Sequence, residues 1–333
     1  MQSHLSADYI YCDTPAALES ALPTLRSSPA LSFDCEGHNL GRLNGSLSLL
    51  TFRTMFPSPD ATNTTFIIDA LTLPASSLLP IFSLLESDTV LKVVFDGRMD
   101  FSCLLHQHAV RLQHVLDLQL VDIASRARRG EGEHAQMARL ARVVSWADLA
   151  ANRGAYRSIH RLAGLRPCAE EHKVAIPPRG AYMDHSAWLQ RPLSARELTY
   201  AANDVLIISR VYAAFAAAAY LERYPSVLAD SMRYISLWAD RPPAEGALER
   251  YRSHGLLPLH VIDVDTEAED QERDRDVALR VCGYCERALP QTCFRADVWD
   301  RGDVRQCLVC RAVGLFHPRF DAARAGLRWP PRV

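Results

Sequence analysis

Lysine is almost absent from this chain. Only Lys92 and Lys173 are lysine among 37 basic residues, and the rest are arginine. Arginine suits bidentate phosphate contacts, although a GC-rich coding sequence gives the same bias. An excess of charge of either sign is also missing. The formal net charge of -2 excludes a global electrostatic case for nucleic-acid binding. No apolar run reaches membrane-spanning length, since the alanine-rich stretch from Ala213 to Leu221 is too short. Met1 to Cys12 has no basic segment followed by an apolar run, so no signal peptide is expected. An even, regularly spaced set of cysteines is lacking too. Nine are present, and five crowd between Cys282 and Cys310. That favours metal binding in a reducing intracellular compartment, nucleus or cytoplasm, over a disulfide framework.

What is present begins with length and core. A chain of 333 residues, 48% hydrophobic, suggests one large domain plus something smaller. Asp8 to Cys12 reads as a short strand. Thr14-Pro15 caps a helix with Leu18, Leu22 and Leu25 at helical spacing. Leu31-Ser32-Phe33-Asp34-Cys35-Glu36-Gly37 reads as a central strand, on which Asp34 and Glu36 share one face. Two carboxylates held side by side repel, and a divalent cation with oxygen ligands removes the repulsion. An isolated D-x-E is equally what two solvated acids at a strand end look like. Leu47 to Phe52 and Thr65 to Asp69 are further strands, so the sheet is expected to have antiparallel members.

Leu78 to Leu85 reads as a helix and Val90 to Phe95 as a buried strand. The strand leads through Asp96-Gly97-Arg98-Met99-Asp100 into an apolar-periodic helix. Asp100 at that helix start is either a functional acid or an N-terminal cap. Val115 to Asp117 is a strand candidate, with Asp117 capping the helix that follows. The arginine-rich stretch from Arg126 to Arg166 is either a solvated helical face or a phosphate-contacting surface. Ser194-Ala195-Arg196-Glu197 is a capping box opening a long helix. Tyr200 and Asp204 lie four residues apart on one face of it. Met232 to Trp238 suggests one more helix, and Asp263 to Asp276 a charged linker.

Cys282-Gly283-Tyr284-Cys285 and Cys307-Leu308-Val309-Cys310 have the spacing of a four-cysteine zinc site. Few apolar residues surround them, so metal is expected to supply the folding free energy.

Taken together, D-x-E on a strand, an acid opening the helix after a later strand, and Y-x-x-x-D on a final helix resemble the DEDDy branch of the DnaQ-like 3′–5′ exonucleases. The group includes RNase D and the Werner exonuclease. Trp188-Leu189-Gln190-Arg191-Pro192-Leu193 with Leu198-Thr199-Tyr200-Ala201-Ala202-Asn203-Asp204-Val205 is similar to the closing motif of RNase D-like proteins. Asp34-Cys35-Glu36-Gly37 with Leu40-Gly41-Arg42 more closely resembles the Egalitarian-like eukaryotic branch. The resemblance covers roughly residues 8 to 222.

It implies an α/β, RNase H-like mixed sheet flanked by helices, plus a small zinc-binding module. It further implies two Mg2+ or Mn2+ ions held by Asp34, Glu36, Asp100 and Asp204, with Tyr200 orienting the attacking water. Asp96 is a rival for the place of Asp100, and Asp100 has the better spacing to the apolar helix. Gly37, Arg98 and Arg191 are the substrate contacts it suggests. The activity implied is hydrolysis of single-stranded nucleic acid from its 3′ end, RNA before DNA. The alternative is a catalytically silent scaffold that binds RNA or protein.

The domain plan is then an exonuclease domain at 1–223 with the insertion at about 126–166, and a helix and charged linker at 224–277. A four-cysteine zinc module at 278–320 and a tail at 321–333 complete it. The module resembles treble-clef or LIM-like fingers. Phe294 and Trp299 are its expected mini-core, and Cys293 and His317 are spare ligands. A protein partner through this module is an expectation, as is one structural zinc.

Overall fold

An extended segment and a capped helix open the chain. In the computed structural model, which describes residues 8–56, 62–142, 144–151, 153–156, 159–178, 183–243, 255–258, 278–300 and 306–310, β1 (Tyr9–Cys12) runs into Thr14. The Thr14 hydroxyl accepts the N–H of Ala17 at 3.3 Å, and Pro15 presets φ at the first position of α1 (Pro15–Ser27). There follow β2 (Ala30–His38), β3 (Ser46–Thr54), β4 (Thr65–Asp69), α2 (Ala75–Glu86), β5 (Leu91–Val94), α3 (Arg98–His108), β6 (Val115–Asp117) and α4 (Leu118–Arg128). Then come α5 (Glu133–Leu140), α6 (Trp146–Ala151), α7 (Arg153–Tyr156) and β7 (Ile159–Arg161). The chain continues through α8 (Leu165–Glu171), α9 (Ala195–Ala217) and α10 (Tyr224–Ile235). The last strands among the described residues are β8 (Leu256–Pro258), β9 (Leu279–Val281) and β10 (Ala288–Pro290).

These elements form two compact units, Met1–Arg128 with Ala163–Glu245, and Arg129–Leu162 with Gly246–Val333. The first unit is built on a six-stranded sheet in the order β1-β4-β3-β2-β5-β6. β3 runs antiparallel to both β2 and β4, and the other pairings are parallel. This is the expected mixed sheet flanked by helices. β5 reaches only Ala30, Leu31 and Ser32 of β2, so the carboxyl half of β2 extends past it.

The long helix α9 begins at the Ser194 capping box. Glu197 N–H donates to the Ser194 hydroxyl at 3.4 Å, and the Ser194 N–H donates back to the Glu197 carboxylate at 2.7 Å. Leu198, Ala201, Ala202 and Leu206 pack with Leu49 and Ile67 from the sheet, and with Trp188 and Leu193. Further along, Ile207, Ile208, Val211 and Phe215 pack with Val93 and Leu116. Each large apolar side chain among them contributes roughly 1.5–3 kcal/mol by leaving water. Small residues at 201 and 202 let the helix lie close to the strands.

The sequence reading closed this domain at residue 223. The structure carries the first unit further. Ser231 of α10 accepts the N–H of Asp117 at 2.9 Å, and Tyr234, fully buried, donates to Gln119 at 2.5 Å. Pro225 stands in the first turn of α10, a position that tolerates proline.

The second unit joins two stretches that the sequence reading kept apart: the arginine-rich insertion and the cysteine-bearing carboxyl part. β7 from the insertion pairs antiparallel with β8, Ile159 opposite Pro258 and Arg161 opposite Leu256. Two arginines of the insertion pair with acids of the same stretch. Arg139 makes a two-pronged pair with Glu131 at 2.7 and 2.8 Å, and Arg153 meets Glu133 at 2.6 Å. β9 and β10 form a second small hairpin. Phe294 and Trp299 are both buried and their rings lie 5.4 Å apart, the expected mini-core. The charged stretch 263–276 and His317 lie outside the described residues. Among the described residues no helix is long and apolar enough to cross a membrane.

Candidate active site

β2 supplies the first two acids by alternation. Asp34 and Glu36 come off one face, and α9 crosses that face with Asp204. One carboxylate oxygen from each of Asp34, Glu36 and Asp204 lies within 4.8 Å of the others. A bulge falls between Glu36 and Gly37. A Cβ at Gly37 would stand 2.1 Å from the Ser46 carbonyl, so only glycine lets the β2–β3 turn close behind the acids. This is the role the structure gives Gly37. Gly41 has φ +71°, and a Cβ there would meet the Met99 carbonyl at 2.5 Å. The Ser102 hydroxyl donates to the Gly41 carbonyl at 2.6 Å, so the loop after β2 is fastened to α3.

Asp100 reaches the same strand from α3. Its Oδ1 accepts the backbone N–H of Cys35 at 2.8 Å. That N–H lies beyond the β5 pairing, where no strand among the described residues takes it. Asp96, the rival, is committed elsewhere. It forms two bonds with Arg98, at 2.5 and 2.8 Å, and lies 3.3 Å from the Tyr234 hydroxyl. Its backbone has φ +61°, and its N–H and that of Gly97 donate to the Asp117 carboxylate at 3.0 and 2.9 Å. Asp117 also accepts the Gln119 N–H at 2.9 Å and so caps α4.

Electrostatics separate the two sets. Burial, then Asp100 and Asp204, pushes the Asp34 carboxyl well above the usual range. Burial, then Asp34, Asp204 and Asp100, does the same for Glu36. Burial raises Asp100 to about 6, against the pull of the Cys35 amide and thiol. Burial raises Asp204 to about 6 as well, against Arg166 and the Tyr200 hydroxyl. Asp96 goes the other way: burial raises it, but the Arg98 charge and hydrogen bonds outweigh that and hold it below its ordinary value. Four crowded acids with raised pKa are a set that binds a cation with release of protons. The oxygen donors suit a hard divalent ion such as magnesium or manganese. Tyr200 is raised by burial, then by Asp204, to which its hydroxyl is bonded. The Trp188 ring lies 6.1 Å from the Tyr200 ring and backs it.

Two expected substrate contacts are otherwise engaged. The Arg98 side chain is 9% exposed, paired with Asp96 and stacked 4.8 Å over the Tyr234 ring. Arg191 makes two bonds to the buried Asp69, at 2.6 and 2.7 Å, and others to Ser48 and to the carbonyls of Trp188 and Gln190. Both guanidinium groups have these protein partners in the structure. Ser32 carries no functional role in the sequence analysis, and Trp188 enters there only as part of the closing motif. Strand alternation was the available signal for Ser32, two residues before Asp34 on the same face.

The cysteine cluster forms as the spacing predicts. Sγ atoms of Cys282, Cys285, Cys307 and Cys310 lie within 4.8 Å of one another, all buried. Backbone N–H groups of Tyr284 and Cys307 point at the Cys282 sulfur at 3.4 and 3.3 Å, and that of Cys310 at the Cys307 sulfur at 3.4 Å. Such N–H donors suit thiolates, and four thiolates in a closed cluster suit a structural zinc. Cys293 is buried and is not one of the four. Arg287, wholly buried, donates from Nε to Cys285 at 3.3 Å and from Nη1 to the Leu256 carbonyl at 3.2 Å.

Residues 9–158 match the family model described as 3'-5' exonuclease. The match includes Asp34, Glu36 and Asp100 and stops before Tyr200 and Asp204. Among solved structures, RNase D of Trypanosoma brucei aligns with a TM-score of 0.51 at 21% identity, covering 72% of this chain and 75% of that one. Escherichia coli RNase D aligns at 0.41 and 19%, covering 70% and 54%. The EXO domain of Aedes aegypti Nibbler aligns at 0.39 and 17%, covering 68% and 94%. The T. brucei alignment shows a shared fold, a mixed sheet flanked by helices. No curated protein matches the chain.

Proposed function

We propose that the chain is a metal-dependent 3′–5′ exonuclease that hydrolyses phosphodiester bonds of single-stranded nucleic acid, RNA in preference. The observation that carries this is the convergence of Asp34, Glu36 and Asp204 within 4.8 Å, with Asp100 bonded to the same strand. Asp34, Glu36 and Asp204 would hold one divalent ion, and Asp34 with Asp100 a second. Such ions, when bound, lower the pKa of water and stabilise charge on the attacking and leaving oxygens. The Tyr200 hydroxyl, partnered by Asp204, orients the attacking water. Burial and the acids beside it hold that hydroxyl protonated at neutral pH, so it serves as a donor and positioner. The preference for RNA is favoured by the shared fold with T. brucei RNase D.

The four cysteines would bind one structural zinc, and their module offers a surface for a protein partner. The deciding experiment is degradation of 5′-labelled RNA and DNA oligomers with and without Mg2+ or Mn2+. Stepwise shortening from the 3′ end, dependent on metal, is the expected result. Binding of oligomers without shortening would instead make the chain a silent scaffold.

A further inference from the structure

We propose that Ser32 is a positioning residue for Asp204 and thereby sets the affinity of the site for its divalent cation. The proposal rests on the metal-dependent reading above.

Ser32 lies on the same face of β2 as Asp34 and Glu36 and is wholly buried. Its hydroxyl donates to the backbone carbonyl of Val205 at 2.9 Å, in a buried setting. Val205 follows Asp204 directly. A carbonyl inside a helix already receives an N–H from the next turn. The Ser32 bond is therefore not needed to satisfy α9, and it ties the helix to the strand at the level of the acids.

Ala201, Ala202 and Leu206 of α9 meet Leu49 and Ile67 of the sheet through apolar contact. Apolar contact is non-directional and resists separation better than sliding. A hydrogen bond is directional and fixes register. Register matters at this point because Asp204 faces two like charges. When all three acids ionise, repulsion drives α9 away from β2 or along it. The Ser32 bond opposes that displacement at the adjacent residue. It keeps the three ligand oxygens close before a cation arrives, and a preorganised set binds more tightly than one that must be assembled.

The test uses the full chain as wild type, Ser32→Ala and Ser32→Thr. Mn2+ binding is measured by electron paramagnetic resonance, and hydrolysis of a labelled oligomer is followed across Mg2+ concentration. Ser32→Ala should weaken Mn2+ binding roughly three- to tenfold, the range one net hydrogen bond is worth. The Mg2+ concentration for half-maximal rate should rise in step, with KM for the oligomer unchanged. Ser32→Thr, which keeps the hydroxyl, should recover most of the affinity. Wild-type Mn2+ affinity in folded Ser32→Ala overturns the proposal. Should the alanine variant fail to fold, Ser32→Cys has nearly the same shape and a weak donor. Weaker Mn2+ binding in it supports the proposal, and unchanged binding overturns it. A wild-type chain that binds Mn2+ but does not hydrolyse defeats the nuclease reading alone, whereas one that binds none defeats both.

Discussion

Cys35 and Asp100 are joined by a backbone bond: the N–H of Cys35 on β2 donates to the Asp100 carboxylate at 2.8 Å. The residue between the two acids of the D-x-E thus recruits the third. β5 stops pairing with β2 at Ser32, and α3 begins four residues after β5 ends. Its first turn therefore arrives beside an N–H left open by the strands described. Asp96, earlier in the same connection, is spent on Arg98 and the turn itself. Asp100, and not Asp96, is the acid of this connection that is bonded to β2.

Asp34→Ala should remove nuclease activity by at least about 10³-fold, as expected for loss of a central electrostatic element. Burial, Asp100 and Asp204 all raise the Asp34 pKa, so in the metal-free protein its charge is a source of strain. Thermal melting without metal should therefore hold or rise. A variant that degrades RNA at the wild-type rate would remove Asp34 from the metal site.

Tyr200→Phe keeps the ring against Trp188 and deletes the hydroxyl bonded to Asp204. The turnover number should fall by about 10²-fold, the low end for a positioned proton-handling group. KM for the oligomer should stay close to wild type, because the lost interaction belongs to the transition state. Single-turnover rates measure this directly, and an unchanged rate would show that water is held elsewhere.

Lys92 has a stability effect with a definite pH window. Its side chain is wholly buried on β5, its Nζ donates to the Ser87 carbonyl, and burial lowers its pKa from 10.5 to about 8. Between about pH 8 and 10.5 the unfolded chain holds a proton that the folded chain has released. Stability therefore rises with pH through that interval, and below it the folded state carries a buried ammonium. Lys92→Met should melt higher than wild type at about pH 7, and the gap should close by about pH 10. Parallel melting curves across the range would show that Lys92 does not titrate in this way.

Zinc removal should disturb more than the cysteines. Arg287 joins the Cys285 sulfur to the Leu256 carbonyl on β8, and β8 pairs with β7 of the insertion. The expectation is about one zinc per chain by mass spectrometry. After chelation, residues 129–162 and 278–310 should become protease-sensitive together. Arg287→Met should weaken zinc retention, since it leaves the thiolates without their buried cation. If chelation exposes 278–310 and leaves 129–162 protected, the two stretches fold separately, as their distance in sequence suggests.

Local signals made much of the fold legible. The Thr65 to Asp69 strand, the Thr14-Pro15 cap and the Ser194 capping box stand where the residues place them, because each rests on neighbours in sequence. The acids of β2 were legible by alternation, and Tyr200 with Asp204 by helical spacing. Partners distant in sequence were not. Arg191 and Asp69 are 122 positions apart, and an arginine before proline in an RNase D-like phrase reads as a substrate contact until its carboxylate is seen. Nothing in the three-residue runs of β7 and β8 signals that they pair. The sequence plan places residues 224–277 outside the exonuclease domain, and only the long-range bonds of Ser231 and Tyr234 tie α10 to the sheet.

The early end of β5 has a further consequence. A strand that outruns its neighbour exposes backbone donors and acceptors, and such margins recruit foreign strands and seed aggregation. On β2 the first turn of α3 covers that margin, and the Asp100 carboxylate takes the N–H a stray strand would use. The same side chain lies beside Asp34, whose pKa it helps to raise. A change that freed Asp100 from β2 should therefore raise the tendency of the chain to self-associate.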